Sequence, residues 1–342
     1  MSKDNKWKEY LLKSGIPLEY EIKEFLDKKL CVSNFEYTYF RKDKSDVLTE
    51  FSYDIDSSYI NPPHFVDLMI ECKYRHESTK WLFLPESYGG PNEIGFTSFM
   101  HPNDHFNEQG HFRFSNFPFQ LAPLCSKGVE ITSQGQNPKT ITQAISQISY
   151  AMAEKVTDGI YHQVDEILSK NFNGTIFYNI PIIITTAELY RIKENSSIDL
   201  IKKSDNLEEI ATKENCLVIK NNAGVDLENY NLSIYQKFIN EFGREKLEKK
   251  LNTFNKDLDF VMSVIAKHYC PSCLVVIHYS KENNGLIDFF DYIDRVIKPD
   301  KEIFEMIEKE AERMQERLKS LEEKLKKRKA NNAQKKLRNN ND

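Results

Sequence analysis

A strand that is predicted to be buried and yet carries charge lies at residues 65–74, FVDLMIECKY. The run is almost continuously apolar, which is typical of a strand buried on both faces of an α/β sheet. Successive side chains of a strand alternate between its faces, so Glu71 and Lys73 are expected to share one face and Cys72 to point to the other. Burying such charges is costly unless they are paired or bind a metal ion. The run therefore predicts an α/β fold with a polar site inside its sheet.

The composition is that of a globular protein. Of 342 residues, 40% are apolar and 12% aromatic, which is enough for a sizeable core. At roughly 150 residues per domain, the length allows about two domains or one large domain with an appendage. No stretch approaches the roughly 18 uninterrupted apolar residues of a membrane span. Residues 1–10 lack the apolar segment of a signal peptide. We expect a cytoplasmic protein without a membrane partner.

Charge is unevenly distributed along the chain. The formal net charge is −5, but residues 301–342 hold 13 Lys and Arg against 9 Asp and Glu, so they carry +4 and residues 1–300 carry −9. An acidic body argues against a protein that merely coats nucleic acid with positive charge. The six cysteines are scattered, unlike those of a disulfide scaffold.

Apolar periodicity predicts the order of helices and strands along residues 16–297. The predicted helices span residues 16–28, which open with Pro17 in a helix-start position, 139–170 as one long or two short helices, 232–251, 257–269 and 286–297. The predicted strands span residues 34–42, 49–56, 65–74, 128–133, 175–186 with Pro181 near a bend, 216–220 and 273–279.

Residues 85–127 interrupt this pattern and are predicted to be an insertion. They are rich in glycine, proline, asparagine, histidine and aromatic residues, and a loop of this length is usually functional or ordered by its own contacts. In one interpretation the loop engages DNA through its aromatic side chains and Arg113. In the favoured interpretation it caps the sheet and packs its phenylalanines inward. The residues concerned are His101, His105, His111, Phe112, Phe114, Phe117 and Phe119.

Two smaller motifs are ambiguous. Cys270-Pro-Ser-Cys273, with His268 and His278 nearby, has the spacing of half a zinc site. A full site needs a second ligand pair, which the sequence does not clearly supply. Cys273 leads into a predicted buried strand, where cysteine behaves as a small hydrophobe, and this is the preferred interpretation. Thr185-Thr186 either hydrogen-bonds at a strand end or faces the site.

The C-terminal region differs from the rest. Apolar residues follow alternating spacings of three and four, which is the a/d seam of a coiled coil over residues 301–330. Residues 324–338 contain eight Lys and Arg and no acid, and the Asn-rich residues 331–342 are predicted to form a disordered basic tail. The helix is expected to pair with itself or with a partner protein. The seam consists of Phe304, Ile307, Ala311, Met314, Leu318, Leu321 and Leu325.

The predicted strand at residues 49–56 supplies acidic neighbours for Glu71 and Lys73. Strict alternation places Asp54 and Asp56 on one face, opposite Phe51, Tyr53 and Ile55. Carboxylates from two strands suit Mg²⁺, which takes one or two protein carboxylates together with water and phosphate oxygens. A nearby lysine can orient or help deprotonate a water for phosphodiester hydrolysis. The alternative interpretation is a buried Glu71–Lys73 ion pair without catalysis.

The order SGIPLEYEIKEFL, EFSYDI and LMIECKYR resembles the PD-(D/E)XK superfamily of restriction-endonuclease-like nucleases, and most of all its type IV restriction (Mrr-type) branch. The resemblance covers roughly residues 14–190. It implies a mixed sheet flanked by helices in αβββαβ order, over a nuclease domain at residues 1–300.

The resemblance also implies roles for individual residues. Asp54 and Glu71 resemble the metal ligands, and Lys73 the motif lysine. Glu19 or Glu24 resembles an accessory acidic residue, and Gln147 the glutamine on the helix after the third strand. The motif proline is absent, since Tyr53 precedes Asp54, and the choice between Asp54 and Asp56 stays open.

The expected function is that of an endonuclease that uses Mg²⁺, with Mn²⁺ as the alternative ion. DNA rather than RNA is the expected substrate, and defence against foreign DNA the expected setting by analogy with the family. Two rival hypotheses remain: a non-catalytic nuclease-like scaffold that assembles through residues 301–330, and a nuclease that is silent until a partner activates it.

Overall fold

The computed structural model describes residues 6–42, 47–89, 94–106, 117–165, 167–172, 174–253, 257–282 and 284–313, together with residues 316, 319, 320 and 324. The helices are α1 (Lys6–Lys13), α2 (Ile16–Lys28), α3 (Thr140–Val164), α4 (Ser169–Phe172), α5 (Ile198–Lys203), α6 (Leu207–Ile210), α7 (Val225–Phe242), α8 (Arg244–Lys250), α9 (Leu258–His268) and α10 (Gly285–Ile297). None of the helices in the described ranges is long and apolar enough to cross a membrane.

The strands that the structure describes form one mixed sheet. They are β1 (Val32–Lys42), β2 (Leu48–Asn61), β3 (His64–Lys73), β4 (Lys80–Pro85), β5 (Pro102–Asn103), β6 (Leu124–Thr132), β7 (Gly135–Asn137), β8 (Ile176–Thr185), β9 (Glu188–Ile192), β10 (Ala211–Glu214), β11 (Cys216–Lys220) and β12 (Cys273–His278). Their order in the sheet is β1-β2-β3-β8-β12-β11-β6-β4-β9-β10, while β5 pairs with β8 and β7 with β6.

The first half of the chain follows the predicted order of elements. It runs α2-β1-β2-β3-α3-β8, with β4 to β7 placed between β3 and α3. Strands β1, β2 and β3 are antiparallel neighbours, and β8 lies parallel to β3. Strand β3 pairs with β2 on one edge and with β8 on the other, and it is buried along almost its whole length. This burial explains why its sequence is almost continuously apolar.

Helices cover both faces of this sheet. We call one the α2 face, where α2 and α10 pack, and the other the α3 face, where α3, α7, α8 and α9 pack. The apolar residues of the α2 face include Leu18, Ile22, Leu26, Phe289 and Phe290. Those of the α3 face include Ile148, Met152, Ile239, Leu247 and Met262. The prediction of a mixed α/β fold with a helix-flanked sheet is therefore confirmed.

Residues after about 190 also build the sheet. Strand β12 lies parallel to β8 and antiparallel to β11, so the C-terminal half supplies strands next to β8. The predicted strand at residues 175–186 is β8, and a second strand, β9, follows it directly. Pro181 lies within β8 and not at a bend. One edge of β8 pairs with β3. On the other edge, β5 pairs with residues 177–178 and β12 pairs from Ile182 onward. Pro181 lies between these two pairings, where its lack of an N–H group costs no hydrogen bond.

The predicted insertion contributes to the core. Phe99 and Phe117 are buried, and the Phe117 ring packs edge-on against Tyr292 with centroids 5.3 Å apart. His101 is also buried, and its Nε2 lies 2.9 Å from the Cys273 carbonyl oxygen. These residues follow the inward-packing interpretation. His111, Phe112, Arg113 and Phe114 lie outside the described residues.

The start of the predicted coiled coil is attached to the body. Residues 301–313 are helical, Ile303 is buried, and Ile307 packs against the α2 face. Phe304 of the predicted seam is exposed. The seam residues from Met314 onward and the basic tail at 331–342 lie outside the described residues, so the coiled coil stays a prediction.

Candidate active site

The alternation of side chains between the two faces of β1 and β2 changes phase at Glu36 and Asp54. The ladder pairs Phe35 with Ile55 and Tyr37 with Tyr53 but skips the Glu36–Asp54 pair, and Glu36 has a φ of 55°. Tyr53 consequently packs on the α3 face, whereas Ile55 packs on the α2 face. The prediction that Phe51, Tyr53 and Ile55 share a face is therefore wrong for Ile55.

This change of phase takes Asp54 of β2 out of the pairing with β1, and its side chain turns toward β3. The β2–β3 ladder ends at Ile55 and Ile70, and beyond it the Cys72 N–H donates to Asp54 Oδ2 at 2.6 Å. The carboxylate thus replaces the backbone acceptor that a continued ladder would have supplied. Burial raises the pKa of Asp54, which this hydrogen bond and the nearby Lys73 partly oppose.

Glu71, Lys73 and Gln147 come together on the α3 face, as the alternation of β3 predicts. Glu71 is 0% exposed, and its Oε1 accepts a hydrogen bond from Lys73 Nζ. Lys73 Nζ also lies 3.4 Å from Gln147 Oε1, and Gln147 Nε2 lies 3.4 Å from the Ser52 carbonyl oxygen. The Tyr39 hydroxyl donates to the Gln147 backbone carbonyl at 2.8 Å and so ties α3 to β1.

The pKa of Glu71 indicates that Lys73 alone does not offset burial and the negative charge of the nearby carboxylates. Burial and, after it, the charge of Asp54 raise the pKa of Glu71 to about 8, although Lys73 acts in the opposite direction. Glu71 Oε2 is buried and accepts no hydrogen bond from any residue that the structure describes. An ionised Glu71 in this position therefore needs another cation.

The structure distinguishes between the two accessory glutamates on α2. Burial raises the pKa of Glu19 to about 6, and the carboxylates of Asp54 and Glu36 add to the increase, which places Glu19 within their electrostatic range. Glu24 is exposed and hydrogen-bonds to Tyr20. Glu19 therefore belongs to the carboxylate cluster, and Glu24 does not.

Two members of this site were missed by sequence reasoning. Glu36 is an acidic residue in an otherwise aromatic strand, and Tyr39 lies on the same strand next to Gln147. The isolated acid among aromatic residues was the available signal for Glu36. Nothing in the sequence indicated the contact of Tyr39, because it joins residues 108 positions apart.

Asp56 belongs to a separate ion cluster under α3. Its Oδ1 accepts a hydrogen bond from the Tyr53 hydroxyl at 2.6 Å and lies 3.1 Å from Lys155 Nζ. Lys155 Nζ also lies 4.0 Å from Asp67 Oδ1. Although burial lowers the pKa of a lysine, Asp67 and Asp56 outweigh it and the pKa of Lys155 is raised. Asp54 and Asp56, predicted on one face, thus have different partners.

Replacing Lys155 with methionine is expected to lower the free energy of unfolding by about 3 kcal/mol, because a buried carboxylate loses its cation. Burial raises the pKa of Asp67 to about 6, so the effect should be measured at pH 8, where Asp67 is ionised. Urea unfolding followed by circular dichroism gives this difference. Lys237→Met on the exposed face of α7 is the matched control. Equal stability of the two variants would contradict the ion cluster.

The ends of β3 and β8 are held together by threonines. Thr185 Oγ1 donates to the Lys73 carbonyl at 2.8 Å, and Thr186 Oγ1 accepts from the Arg75 N–H at 2.7 Å. Of the two interpretations of Thr185-Thr186, the hydrogen-bonded strand end is the observed one. Arg75 Nε donates to the buried Glu130 at 2.5 Å, which holds the chain after Lys73 in place.

Cys270 and Cys273 lie in the interior as thiols. Both are buried, Cys273 within the α2 face, and burial raises the pKa of Cys270 to about 11 and that of Cys273 to about 12. Cys270 Sγ donates to the Lys267 carbonyl at 2.9 Å. His278 Nδ1 lies 2.9 Å from the Ala187 carbonyl oxygen. These contacts are those of core residues.

Asp54 and Glu71 fit a hydrated divalent cation better than a closed protein cage. In the described part of the chain no three His, Cys, Asp or Glu side chains are placed to hold a metal ion together. The buried Oε2 of Glu71 nevertheless accepts no hydrogen bond from a described residue, and the Asp54 carboxylate lies within electrostatic range of Glu71. Mg²⁺ keeps several waters and needs only one or two protein carboxylates, so this pair suits it.

Comparison with known proteins adds no relative. No protein-family model matches the chain, and neither a curated protein nor a solved structure matches it. The functional argument therefore depends on the residues themselves.

Proposed function

We propose that this chain is a cytoplasmic, Mg²⁺-dependent endonuclease that cleaves DNA, built on the restriction-endonuclease-like plan that its sequence resembles. The observation that carries the proposal is the buried Glu71 carboxylate, which contacts Lys73, lies within electrostatic range of Asp54 and keeps one oxygen unpartnered among the described residues. A structural ion pair would satisfy both oxygens, because a buried unsatisfied acceptor costs about 1–3 kcal/mol.

The cation would be held by Asp54 and Glu71, and its chemistry when bound is to stabilise negative charge on the phosphate and acidify water. Mn²⁺ offers the same oxygen-ligand chemistry. The Cys72 N–H fixes the orientation of the Asp54 carboxylate. Gln147 fixes that of Lys73, and Glu19 contributes further negative charge beside Asp54.

Lys73 is the group that handles the nucleophile. Its ammonium contacts Glu71 and Gln147, and its side chain is 20% exposed. In the proposed reaction a water held by Lys73 attacks the phosphorus and gives its proton to solvent, while the bond from phosphorus to the leaving oxygen breaks and that oxygen takes a proton from solvent. The products are a phosphomonoester end and a free hydroxyl end.

The test is cleavage of supercoiled plasmid DNA with Mg²⁺. The wild-type chain should nick or linearise the plasmid and lose this activity in excess EDTA. Asp54→Asn should lower the rate about 10²-fold, because several kcal/mol of charge stabilisation are lost. Glu50→Gln, an exposed acid on the same strand, is the matched control and should cleave at the wild-type rate. Equal rates for all three proteins would contradict the site.

The rival hypotheses predict other outcomes of the same assay. A non-catalytic scaffold cleaves nothing with either ion, in the presence or absence of other proteins. A silent nuclease cleaves only after addition of a partner, and its Asp54→Asn variant stays inactive. The active endonuclease, the scaffold and the silent nuclease are all proposed to assemble through residues 301–330, as a homo-oligomer or with a partner protein.

A further inference from the structure

Helix α1 presents apolar side chains that the described structure leaves exposed. None of its eight residues, KWKEYLLK, is buried. Trp7 is 60% exposed and Tyr10 65%, and Leu11 and Leu12 are exposed as well. Soluble helices normally bury one apolar stripe, so an exposed cluster with two aromatic rings indicates a binding surface.

This helix lies beside the candidate active site. It ends at the Gly15 turn, where a Cβ atom would lie 3.1 Å from Glu19 Oε1. Glu19 belongs to the carboxylate cluster with Asp54. At the other edge, Glu9 is within electrostatic range of His76, and Lys13 within that of Tyr74, both just after β3. A polymer bound on α1 would therefore lead directly to Asp54 and Lys73.

The charge of α1 differs from that of the body around it. Three lysines and one glutamate give it +2, whereas residues 1–300 together carry −9. Lys13 pairs with Glu9 at 2.6 Å, which leaves Lys6 and Lys8 exposed beside the aromatic rings. Lys8 Nζ lies 5.7 Å from the centroid of the Trp7 ring. The lysines complement the phosphates of a nucleic-acid backbone, and the neighbouring aromatic rings complement bases whose faces are open.

We propose that Trp7 and Tyr10 of α1 stack on unpaired bases of the nucleic acid that enters the candidate active site, while Lys6 and Lys8 contact its phosphates. Stacking needs an open base face, which a duplex hides and a single-stranded end or flap offers. The preferred substrate is thus a nucleic acid with a single-stranded segment beside the point of cleavage. The inference rests on the proposed nuclease function for its position, but its binding step needs no cleavage.

The two tryptophans of the chain provide the test. Trp7 is exposed, whereas Trp81 is 0% exposed and donates to Glu130 at 2.9 Å, so an added oligonucleotide reaches Trp7 alone. The full chain is titrated in EDTA, which prevents metal-dependent cleavage. A single-stranded DNA oligonucleotide should quench the emission saturably, and the same sequence as a blunt duplex should quench it far less. The Trp7→Phe variant should lose the response.

Affinity measured by anisotropy of a labelled single strand completes the test. Tyr10→Ala should weaken binding roughly tenfold, since one stacked base is lost. Phe260→Ala, an equally exposed aromatic residue on α9, is the matched control and should bind as the wild type does. Circular dichroism confirms that each variant is folded, which is expected because none of these side chains is buried.

Three results would overturn the inference: no quenching by single strands, equal quenching by duplex, or a blue shift of Trp7 emission with phosphatidylserine vesicles in place of a response to DNA. The last would assign α1 to a membrane surface. The two proposals fail separately. A chain that binds single strands through Trp7 but never cleaves refutes the nuclease. A chain that cleaves flapped DNA equally well after Trp7→Ala and Tyr10→Ala refutes the role of α1.

Discussion

Replacing Lys73 with methionine is expected to reduce Mg²⁺-dependent cleavage by about 10²- to 10³-fold, the cost of removing one preorganised hydrogen-bond donor from an active site. Lys73 is the cation that contacts both Glu71 and Gln147, so its loss leaves the attacking water without a donor. Methionine keeps most of the side-chain volume, which limits the effect to the ammonium group.

A second measurement separates this role from metal binding. If Lys73 handles water and does not bind the cation, the melting temperature of Lys73→Met should still rise on addition of Mg²⁺. Lys127→Met, an exposed lysine on β6, is the matched control for the cleavage rate. An unchanged rate in Lys73→Met, at equal folding, would remove Lys73 from the mechanism.

Replacing Glu71 with glutamine is expected to remove the loss of stability that ionisation of Glu71 causes as the pH rises in EDTA. The pKa of Glu71 is about 8 in the folded chain and 4.5 for the ordinary group, so the folded state holds the proton more tightly. The free-energy penalty of ionising Glu71 is absent below pH 4.5, grows as the pH rises, and is complete above pH 8. The variant removes this penalty and should gain stability relative to the wild type between pH 5 and pH 9.

The size of this change follows from the pKa shift. Each unit corresponds to about 1.4 kcal/mol, so the stability difference between variant and wild type should change by about 2–5 kcal/mol over that pH interval. Urea unfolding at pH 5 and pH 9 measures it, with Glu77→Gln, an exposed acid after β3, as the control. Mg²⁺ at pH 9 should stabilise the wild type but not Glu71→Gln. Parallel pH profiles for the two would contradict the buried, uncompensated charge.

Local patterns predicted many elements of this fold. Helix α2 at residues 16–28 and strand β11 at residues 216–220 have the predicted bounds, because Pro17 and the apolar periodicity are local signals. The pairing of Glu71 with Lys73 was also predictable, since the two-residue period of β3 is regular along its length. Helix α1 was missed because its apolar residues contact little else, so no buried stripe marks it.

The order of the strands could not be read from the chain. Strand β12 lies between β8 and β11, and β9 returns to pair with β4, through contacts between residues far apart in sequence. The hydrophobic pattern of a strand indicates only that the strand is buried, and pairing with any of several neighbouring strands would bury it equally well. Long-range packing selects among them.

The sequence by itself determined that this chain forms an α/β sheet and that Glu71 and Lys73 emerge together from a buried strand. Only the tertiary structure gave Asp54 and Asp56 different surroundings. Two-residue alternation treats them alike, but the pleat changes phase at Glu36 and Asp54, where the ladder skips one pair. Tyr53 before this change and Ile55 after it are both buried, although on opposite faces of the sheet. The apolar pattern of the sequence therefore does not indicate the change. Asp54 therefore accepts a hydrogen bond from the Cys72 N–H of β3, while Asp56 pairs with Lys155.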